Sequence, residues 1–238
     1  MPLNESDIVL DNFQMKESSI KVEDVPYIED KSKAYYFFKR LFDMVSSFLV
    51  ICLFSWLILP LFIIQIFVTK GHPIFKDSRI GKNGKPFNVL KFRSMYFDAE
   101  TNIDKYLSQE QKKQWIEERK LDDDPRITSF GRFLRKTSLD ELPQLFNILF
   151  GSMSVVGYRP MSEREYFSHF NKYERKILAT AKPGLTGNWQ VYGRGSADFE
   201  SGERQKLEMN YFLKRSLIFD LTLIFKTIPA VLKHKGAK

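Results

Sequence analysis

Asp140 and Glu141 are the residues of this 238-residue chain whose types and surroundings best suit chemistry. Two adjacent carboxylates offer hard oxygen ligands to a cation such as Mg²⁺, and a carboxylate can also attack phosphorus as a nucleophile. An anion attacking a diphosphate needs cations to offset the repulsion. Arg126, Arg132, Arg135 and Lys136 lie just upstream to supply them. The same residue types also fit a plain helix start. Ser138-x-x-Glu141 has the spacing of a capping box, and Asp140 as N-cap would put Pro143 in the first turn, where its missing N–H costs little. Either register sets both carboxylates at a helix N-terminus beside basic side chains, which is expected to depress their pKa values and keep both ionised.

Other candidates are spread along the chain. Arg159-Pro160, after Val155-Val156-Gly157, reads as a stiff loop presenting one guanidinium, or as a structural turn. Lys91 and Arg93 end a strand with two cations on one face, the arrangement of a ligand site or of a guarded sheet edge. Trp189, Gln190 and Arg194 supply a ring, an amide and a guanidinium, a set suited to a nucleobase and a phosphate, although Trp189 equally suits core packing. Cys52, the only thiol, lies in an apolar run with no base nearby and reads as a small buried hydrophobe. His72, His169 and His234 are too scattered for a local metal site. GxSxG, GxxxxGK[ST] and GxGxxG are all missing, and Gly184-Leu-Thr-Gly187 is too short a motif to assign.

The elements that must position these residues are legible around them. Residues 1–30 hold eight acids and two lysines, with no cationic flank before an apolar core, so they read as an acidic flexible tail and not as a signal peptide. Lys31, Lys33, Lys39 and Arg40 then switch the sign. From Met44 to Thr69 no side chain is charged for 26 residues. As a straight helix that is about 39 Å, enough to cross a hydrocarbon core of roughly 30 Å. Pro60 inside this run predicts a break or kink at Leu59. Lys70, Lys76, Arg79, Lys82 and Lys85 make the downstream flank basic as well, and the positive-inside rule keeps both flanks in the cytoplasm. A re-entrant helix that turns at Leu59-Pro60 and leaves by the face it entered satisfies both observations and is preferred to a spanning helix. A buried helix of a soluble protein fits worst, because Phe, Leu and Ile surround the whole helix.

Downstream, Ile74–Ile80 and Phe87–Phe92 flank Asn83-Gly84, a strong hairpin signal. Residues 98–120 predict a polar helix anchored by Leu107 and Trp115, and residues 161–180 and 203–232 are helical in pattern. In the last of these Leu217, Ile218, Leu221, Ile224 and Phe225 share a side. That helix is either core or interfacial, with Lys214, Arg215, Lys226 and Lys233 near headgroups. The expected fold is α+β and mostly helical, with a re-entrant membrane helix broken near Pro60, a small β-hairpin and interfacial amphipathic helices. It divides into a tail (1–30), a basic flank with the membrane helix (31–70) and a cytoplasmic, membrane-associated catalytic domain (71–238). The net charge of +8 splits into −6 over the tail and +14 over the rest. A basic body of this kind suits nucleic acid, a membrane surface or a phosphorylated substrate. With 22 phenylalanines in the chain, generic disorder is excluded.

Six motifs follow one another in order: Lys39-Arg-Leu-Phe-Asp43, Lys91-Phe-Arg-Ser-Met95, Asp124-Pro-Arg-Ile-Thr128, Phe130-Gly-Arg-Phe-Leu-Arg-Lys-Thr-Ser-Leu-Asp-Glu-Leu-Pro-Gln144, Val155-Val-Gly-Tyr-Arg-Pro160 and Lys182-Pro-Gly-Leu-Thr-Gly187. From about Lys39 to the C-terminus the chain resembles the monotopic polyprenyl-phosphate phosphoglycosyl transferases, or bacterial sugar transferases, in their short catalytic-core form. The resemblance implies that Asp140 is a nucleophile that takes a phosphosugar from a UDP-sugar and releases UMP. It implies Glu141 beside it as a Mg²⁺ ligand, Arg135 near the phosphate, and Arg159-Pro160 in a loop ending the active site. Polyprenyl phosphate is the implied acceptor, at the cytoplasmic face of a bacterial membrane, in the first membrane step of exopolysaccharide-, capsule- or O-antigen-type assembly. Tyr158 stands where such proteins usually carry proline, and Leu59 where a serine often precedes Pro60.

Two other classes stay open on the residues. A membrane adaptor would use its basic face for anionic lipids and Asp140-Glu141 only as caps. A nucleic-acid binder rests on charge alone and conflicts with the apolar run, so no nucleic acid is expected among the partners. Neither the hexose nor the oligomeric state is specified by any residue.

Overall fold

Ser32 opens the first helix by accepting a hydrogen bond from Tyr35 N at 3.2 Å, satisfying one of the amides a helix start leaves unpaired. The computed structural model describes residues 31–118, 121 and 123–232, so the acidic tail and Lys233 lie outside the described residues. Helix α1, Lys33–Thr69, continues through Pro60. Of the two outcomes expected at Leu59, break or kink, the complete break is the one not seen: a proline deletes a single backbone donor, and the turns on either side stay helical.

Along α1, Asp43, Ser47, Leu61, Gln65 and Thr69 are buried, and Val50, Ile51, Leu57 and Ile58 pack on the rest of the chain. Steps of three and four residues place all of these on one side. The other side is apolar and open, from Phe48 and Trp56 to Phe67, which is 77% exposed. Cys52 lies on this open side, exposed where burial was expected, because it is four residues from both Phe48 and Trp56. Both ends of the helix are tied to the same folded body. Arg40 donates to the carbonyls of Ile148 and Leu149 at 2.6 and 2.7 Å. Asp43 Oδ1 accepts from Ser154 Oγ at 3.0 Å and Val155 N at 2.9 Å. At the far end the Thr69 carbonyl accepts from Phe97 N at 3.2 Å.

Strands β1 (Ile74–Ile80) and β2 (Pro86–Phe92) form the expected antiparallel hairpin, Ile74 opposite Phe92 and Ile80 opposite Pro86. Asn83 and Gly84 take the positive φ values, 61° and 68°, that the turn requires. Two helices, α2 (Ile103–Tyr106) and α3 (Gln109–Glu118), stand where one polar helix was expected, with Leu107 buried between them. Next come α4 (Ser129–Thr137), a 3₁₀ turn at Leu139–Glu141, α5 (Gln144–Phe150) and β3 (Ser154–Val156). The pattern at 161–180 also resolves into two helices, α6 (Glu163–His169) and α7 (Lys172–Ala179), because Ser162/Glu165 and Asn171/Glu174 each form a complete capping box.

Strand β4 (Gly184–Thr186) pairs parallel with β3, Ser154 opposite Gly184 and Val156 opposite Thr186. A Cβ on the following Gly187 would collide with the Gly157 carbonyl, so the glycine motif here is explained by packing. Helices α8 (Asn188–Tyr192), α9 (Glu203–Lys214) and α10 (Leu217–Leu232) follow. On α10, Asp220 and Leu223 are buried while Leu217, Ile218, Leu221, Phe225 and Ile228 face outward. This is the interfacial pattern, with two corrections: Arg215, expected near headgroups, is buried, and Ile224, expected on the outward side, packs on the core. Lys39 Nζ on α1 meets Asp220 Oδ2 on α10 at 2.6 Å, joining the two outward-facing apolar helices.

Candidate active site

Helix α4 ends where Ser138 turns left-handed, φ 57°, and its N–H reaches the Arg135 carbonyl at 3.1 Å. The chain reverses there, and the 3₁₀ turn holds Asp140 and Glu141 half-buried ahead of α5. Neither expected cap forms. Ser138 serves as the C-cap of α4, and Pro143, in the right-handed region, precedes α5 without any side-chain cap. Both carboxylates are therefore left available for a ligand.

Burial pushes Asp140 up to about 6, and Glu141 adds to the rise; Lys91 and Arg135 pull it back only in part. The depression expected for Asp140 is thus overturned, because desolvation and a like charge outweigh two cations. Lys91 Nζ is held 2.9 Å from Asp77 Oδ2, and Arg135 Nε donates to Ser94 Oγ at 2.8 Å. Helix α4 comes this near to Ser94 because residue 131 is glycine; a Cβ there would collide with the Ser94 carbonyl.

From Lys91 a ladder of charges leads away. Asp77 Oδ2 binds Arg79 Nη2 at 2.8 Å, Arg79 Nη1 reaches Glu165 Oε2 at 3.2 Å, and Arg204 Nη1 lies 3.5 Å from Glu165 Oε1. Arg159 and Arg204 both face the Trp189 ring, at 5.0 and 4.6 Å. The Arg159 N–H meets both carboxylate oxygens of buried Glu208 at 3.3 Å, and burial pushes Glu208 up to about 7. The Arg159-Pro160 loop is held without the family's extra proline. Tyr158 is fully buried, its hydroxyl 3.5 Å from the Ile80 carbonyl, and Ile80 N donates to the Met161 carbonyl at 2.9 Å.

Three further candidates hold partners outside this ladder. Arg126 is 2% exposed, gripped by Asp124 with Nη2 to Oδ2 at 2.6 Å, and its guanidinium lies 4.1 Å from the Trp115 ring. It forms a buried ion pair whose charges are felt by Arg135 beside Asp140. Arg93 donates to the His72 carbonyl at 2.9 Å and covers Phe75 and Phe97. Arg93 thus lies over the cross-strand partner of Lys91, Phe75, while the two cations hold different acceptors, His72 and Asp77. Arg132 is exposed and donates to the Ile127 carbonyl at 3.0 Å.

Gln190 and Arg194 do come together, lining a cavity of about 370 Å³ with Tyr192 and Ser196. Gln190 is 8% exposed, and among the described residues neither end of its amide has a partner. A polar ligand in the cavity would supply one. Asp77, Arg79, Glu165, Arg204 and Glu208 escaped the sequence reading. The hairpin register contained the signal for the first two, because Asp77 and Arg79 share a face with Lys91 once Asn83-Gly84 sets the turn.

Among the described residues no three His, Cys, Asp or Glu side chains converge as a metal site. Asp140 and Glu141 still fit a cation that takes one or two carboxylates and completes its shell with water and phosphate oxygens, as Mg²⁺ does. Their mutual repulsion, which raises Asp140, is what such a cation relieves.

The site is a half-buried carboxylate pair among cations, on a body whose longest helix turns an apolar face outward. The chain belongs to the bacterial sugar transferase family, which it matches over residues 34–234. It is 41% identical over 206 residues to the UDP-galactose-lipid carrier transferase of Erwinia amylovora. It is 39% identical over 203 residues to the undecaprenyl-phosphate galactose phosphotransferase of Salmonella typhimurium. Each match covers 84% of this chain and 42% of the relative, so the chain spans about two fifths of the length of these proteins. The exopolysaccharide production protein ExoY of Rhizobium meliloti, 40% identical over 204 residues, is matched over 87% of its length and 84% of this chain.

Proposed function

We propose that this chain transfers hexose 1-phosphate from a UDP-sugar to polyprenyl phosphate at the cytoplasmic face of the bacterial membrane, as the first membrane step of exopolysaccharide- or capsule-type assembly. Asp140 carries the reading: an uncapped, half-buried carboxylate beside Glu141, with Lys91 and Arg135 near enough to shift its titration. An Asp140 oxygen attacks the β-phosphorus of the UDP-sugar. The bond from that phosphorus to the bridging oxygen breaks, and UMP leaves with the oxygen and the electron pair. An oxygen of polyprenyl phosphate then attacks the same phosphorus and displaces the Asp140 carboxylate, leaving hexose on polyprenyl diphosphate. Lys91 and Arg135 offset the charge that builds as two anions meet.

Glu141 and Asp140 are the residues that would hold Mg²⁺, which when bound neutralises part of the diphosphate charge. Gln190 and Arg194 suit the nucleotide end of the donor. The names of the Erwinia and Salmonella relatives, a lipid carrier transferase and an undecaprenyl-phosphate phosphotransferase, support the same acceptor class.

Intact-mass measurement after incubation with a panel of UDP-hexoses and Mg²⁺ tests the reading. The expected result is one added hexose phosphate on the peptide containing Asp140, with UMP released. Full turnover by Asp140→Asn would remove the covalent step, and no UMP from any UDP-sugar would favour the adaptor.

A further inference from the structure

Helix α4 starts at Thr128, whose Oγ1 accepts from Gly131 N at 2.8 Å, and ends at the turn that carries Asp140. Successive residues of a helix are rotated by about 100°. Gly131 and Leu134 therefore share the inner side of α4, where Gly131 meets Ser94 and Leu134 packs with Leu61 of α1 and Phe92 of β2. Across the outer side the long side chains follow the order Phe130, Phe133, Lys136, Arg132, Arg135, each step being about 60° or less. The order passes from apolar to cationic, and its last member is the guanidinium that Asp140 feels.

The two ends of that order have different neighbours. Phe130 packs on the Leu61, Phe92 and Leu134 cluster, as do Leu57 and Ile58 of α1. The Phe133 ring stacks on Phe130, centroids 5.8 Å apart and planes 25° from parallel, and Phe133 is 49% exposed. Trp56 and Leu59, which flank Leu57 and Ile58 in sequence, are exposed as well. The open apolar side of α1 and the phenylalanine pair of α4 thus border one cluster. Beyond Phe133, Lys136 and Arg132 are exposed and hold no carboxylate among the described residues. Arg132 donates only to the uncharged Ile127 carbonyl at 3.0 Å and Ser129 Oγ at 3.4 Å.

An exposed ring pair beside cations that lack acids matches a lipid phosphate, the rings meeting the chain and the cations the anion. The order around α4 adds a direction, because a phosphate held by Lys136 and Arg132 is one step from Arg135 and the carboxylates. We infer, resting on the transfer proposed above, that the outer side of α4 is where the acceptor docks. The first isoprene units of polyprenyl phosphate lie on Phe130 and Phe133, and the phosphate passes over Lys136 and Arg132 to Arg135. Ordinary phospholipids suit the surface less well, since their phosphate is a diester whose headgroup occupies the oxygen that a monoester leaves free to react. Arg132, which lies outside the charge ladder, gains a function in this arrangement.

The full chain is placed in phosphatidylcholine nanodiscs without UDP-sugar, and retention of undecaprenyl phosphate, undecaprenol and phosphatidic acid is counted by native mass spectrometry. Phe133→Ala, Phe133→Leu and Lys136→Gln are compared with wild type, with thermal melting as the check on folding. Wild type should retain undecaprenyl phosphate in preference to the other two lipids. Lys136→Gln should weaken that retention about tenfold, the effect of one charge-assisted contact, and leave undecaprenol unchanged. Phe133→Ala should weaken both prenyl lipids about threefold, a smaller effect because the chain only exchanges one apolar contact for another, and Phe133→Leu should recover part of it. If wild type holds phosphatidic acid as well as undecaprenyl phosphate, the docking surface is overturned and the transfer reading stands. The same follows if either Phe133→Ala or Lys136→Gln binds undecaprenyl phosphate as wild type does. If wild type binds no undecaprenyl phosphate, the surface and the proposed acceptor fall together, and the mass adduct on Asp140 tests the donor step separately.

Discussion

The backbone N–H of Arg159 lies 3.3 Å from each carboxylate oxygen of Glu208, a side chain with 0% exposed surface. A buried acid thus fixes the loop that presents Arg159 to the Trp189 ring. Because Arg204 and Glu165 continue from there to Arg79, Asp77 and Lys91, the loop and the strand beside Asp140 are held by one run of charges. Such a run sets positions more than it adds stability, since desolvation cancels much of its Coulomb gain.

Burial raises Glu208 from an ordinary 4.5 to about 7, so the folded protein holds that proton more tightly than the unfolded chain. Its contribution to stability is full below the ordinary value and is lost as pH rises through about 7. Glu208→Gln stays neutral throughout and keeps an acceptor for Arg159. The melting temperature of the variant, relative to wild type, should therefore climb between about pH 5 and about pH 8. A gap that stays constant over that range would contradict the buried acid.

Asp140 follows the same sign with a smaller effect, because it is only half-buried. Ionisation above about 6 costs the folded state, so Asp140→Asn should melt higher than wild type at neutral pH and lose that advantage in acid. The same variant should release no UMP. Stability gained as activity is lost is the signature of a residue kept for chemistry. A variant that melts lower than wild type at neutral pH would speak against it.

Lys91 opposes the rise of Asp140, so Lys91→Met should push the Asp140 titration further up. The acid limb of the pH–rate profile should move to higher pH, and turnover should fall about a hundredfold as a cation is lost from the reacting phosphate. Asp77 keeps Arg79 as a partner in this variant, so the fold should hold. An unmoved acid limb would show that Lys91 acts on binding alone.

The parts of the fold that repeat were legible in the sequence, because they follow local rules: the Asn83-Gly84 hairpin, the apolar run of α1 and the outward stripe of α10. The choice between a break and a kink at Pro60 was not, because a proline's effect depends on whether neighbouring turns and packing hold the helix. At the site, Asp140, Glu141, Lys91 and Arg135 were identified by type and motif. The capping reading failed because Ser138 already ends α4, which only the reversal of the chain reveals. The burial of Arg126 was not legible, because the role of its partner Asp124 in the same motif shows only in the folded chain. Glu208 left no local signal at all: it faces Arg159 across a long stretch of chain.

Arg126 and Arg135 hold different partners, Asp124 and Ser94, and should differ in the laboratory accordingly. Arg126→Met leaves Asp124 buried without its bidentate partner, and should cost roughly 3–5 kcal/mol in denaturant unfolding. Turnover per folded molecule should change little. Arg135→Met should reverse the pattern, with a small loss of stability and a large loss of turnover. Equal effects on both quantities for the two variants would erase the distinction between core pair and site cation.

The two attachments of α1 predict its course in a membrane. Arg40 near one end and Thr69 at the other are both bonded to a single folded body that also carries the Asp77–Arg79 and Lys91 charges. A helix crossing a bilayer end to end would pull that body through the hydrocarbon, where buried charge is prohibitive. The helix should therefore enter and leave by one face, with its open side in lipid. Cys52 is exposed on that open side and is the chain's only thiol. It should react with a lipid-soluble maleimide and resist a charged one in intact membranes. In a Cys52→Ser background, Lys33→Cys and Lys85→Cys should both be labelled by the charged reagent in inverted vesicles and neither in intact cells. Labelling of one of them in intact cells, and of the other in inverted vesicles, would establish a spanning helix instead.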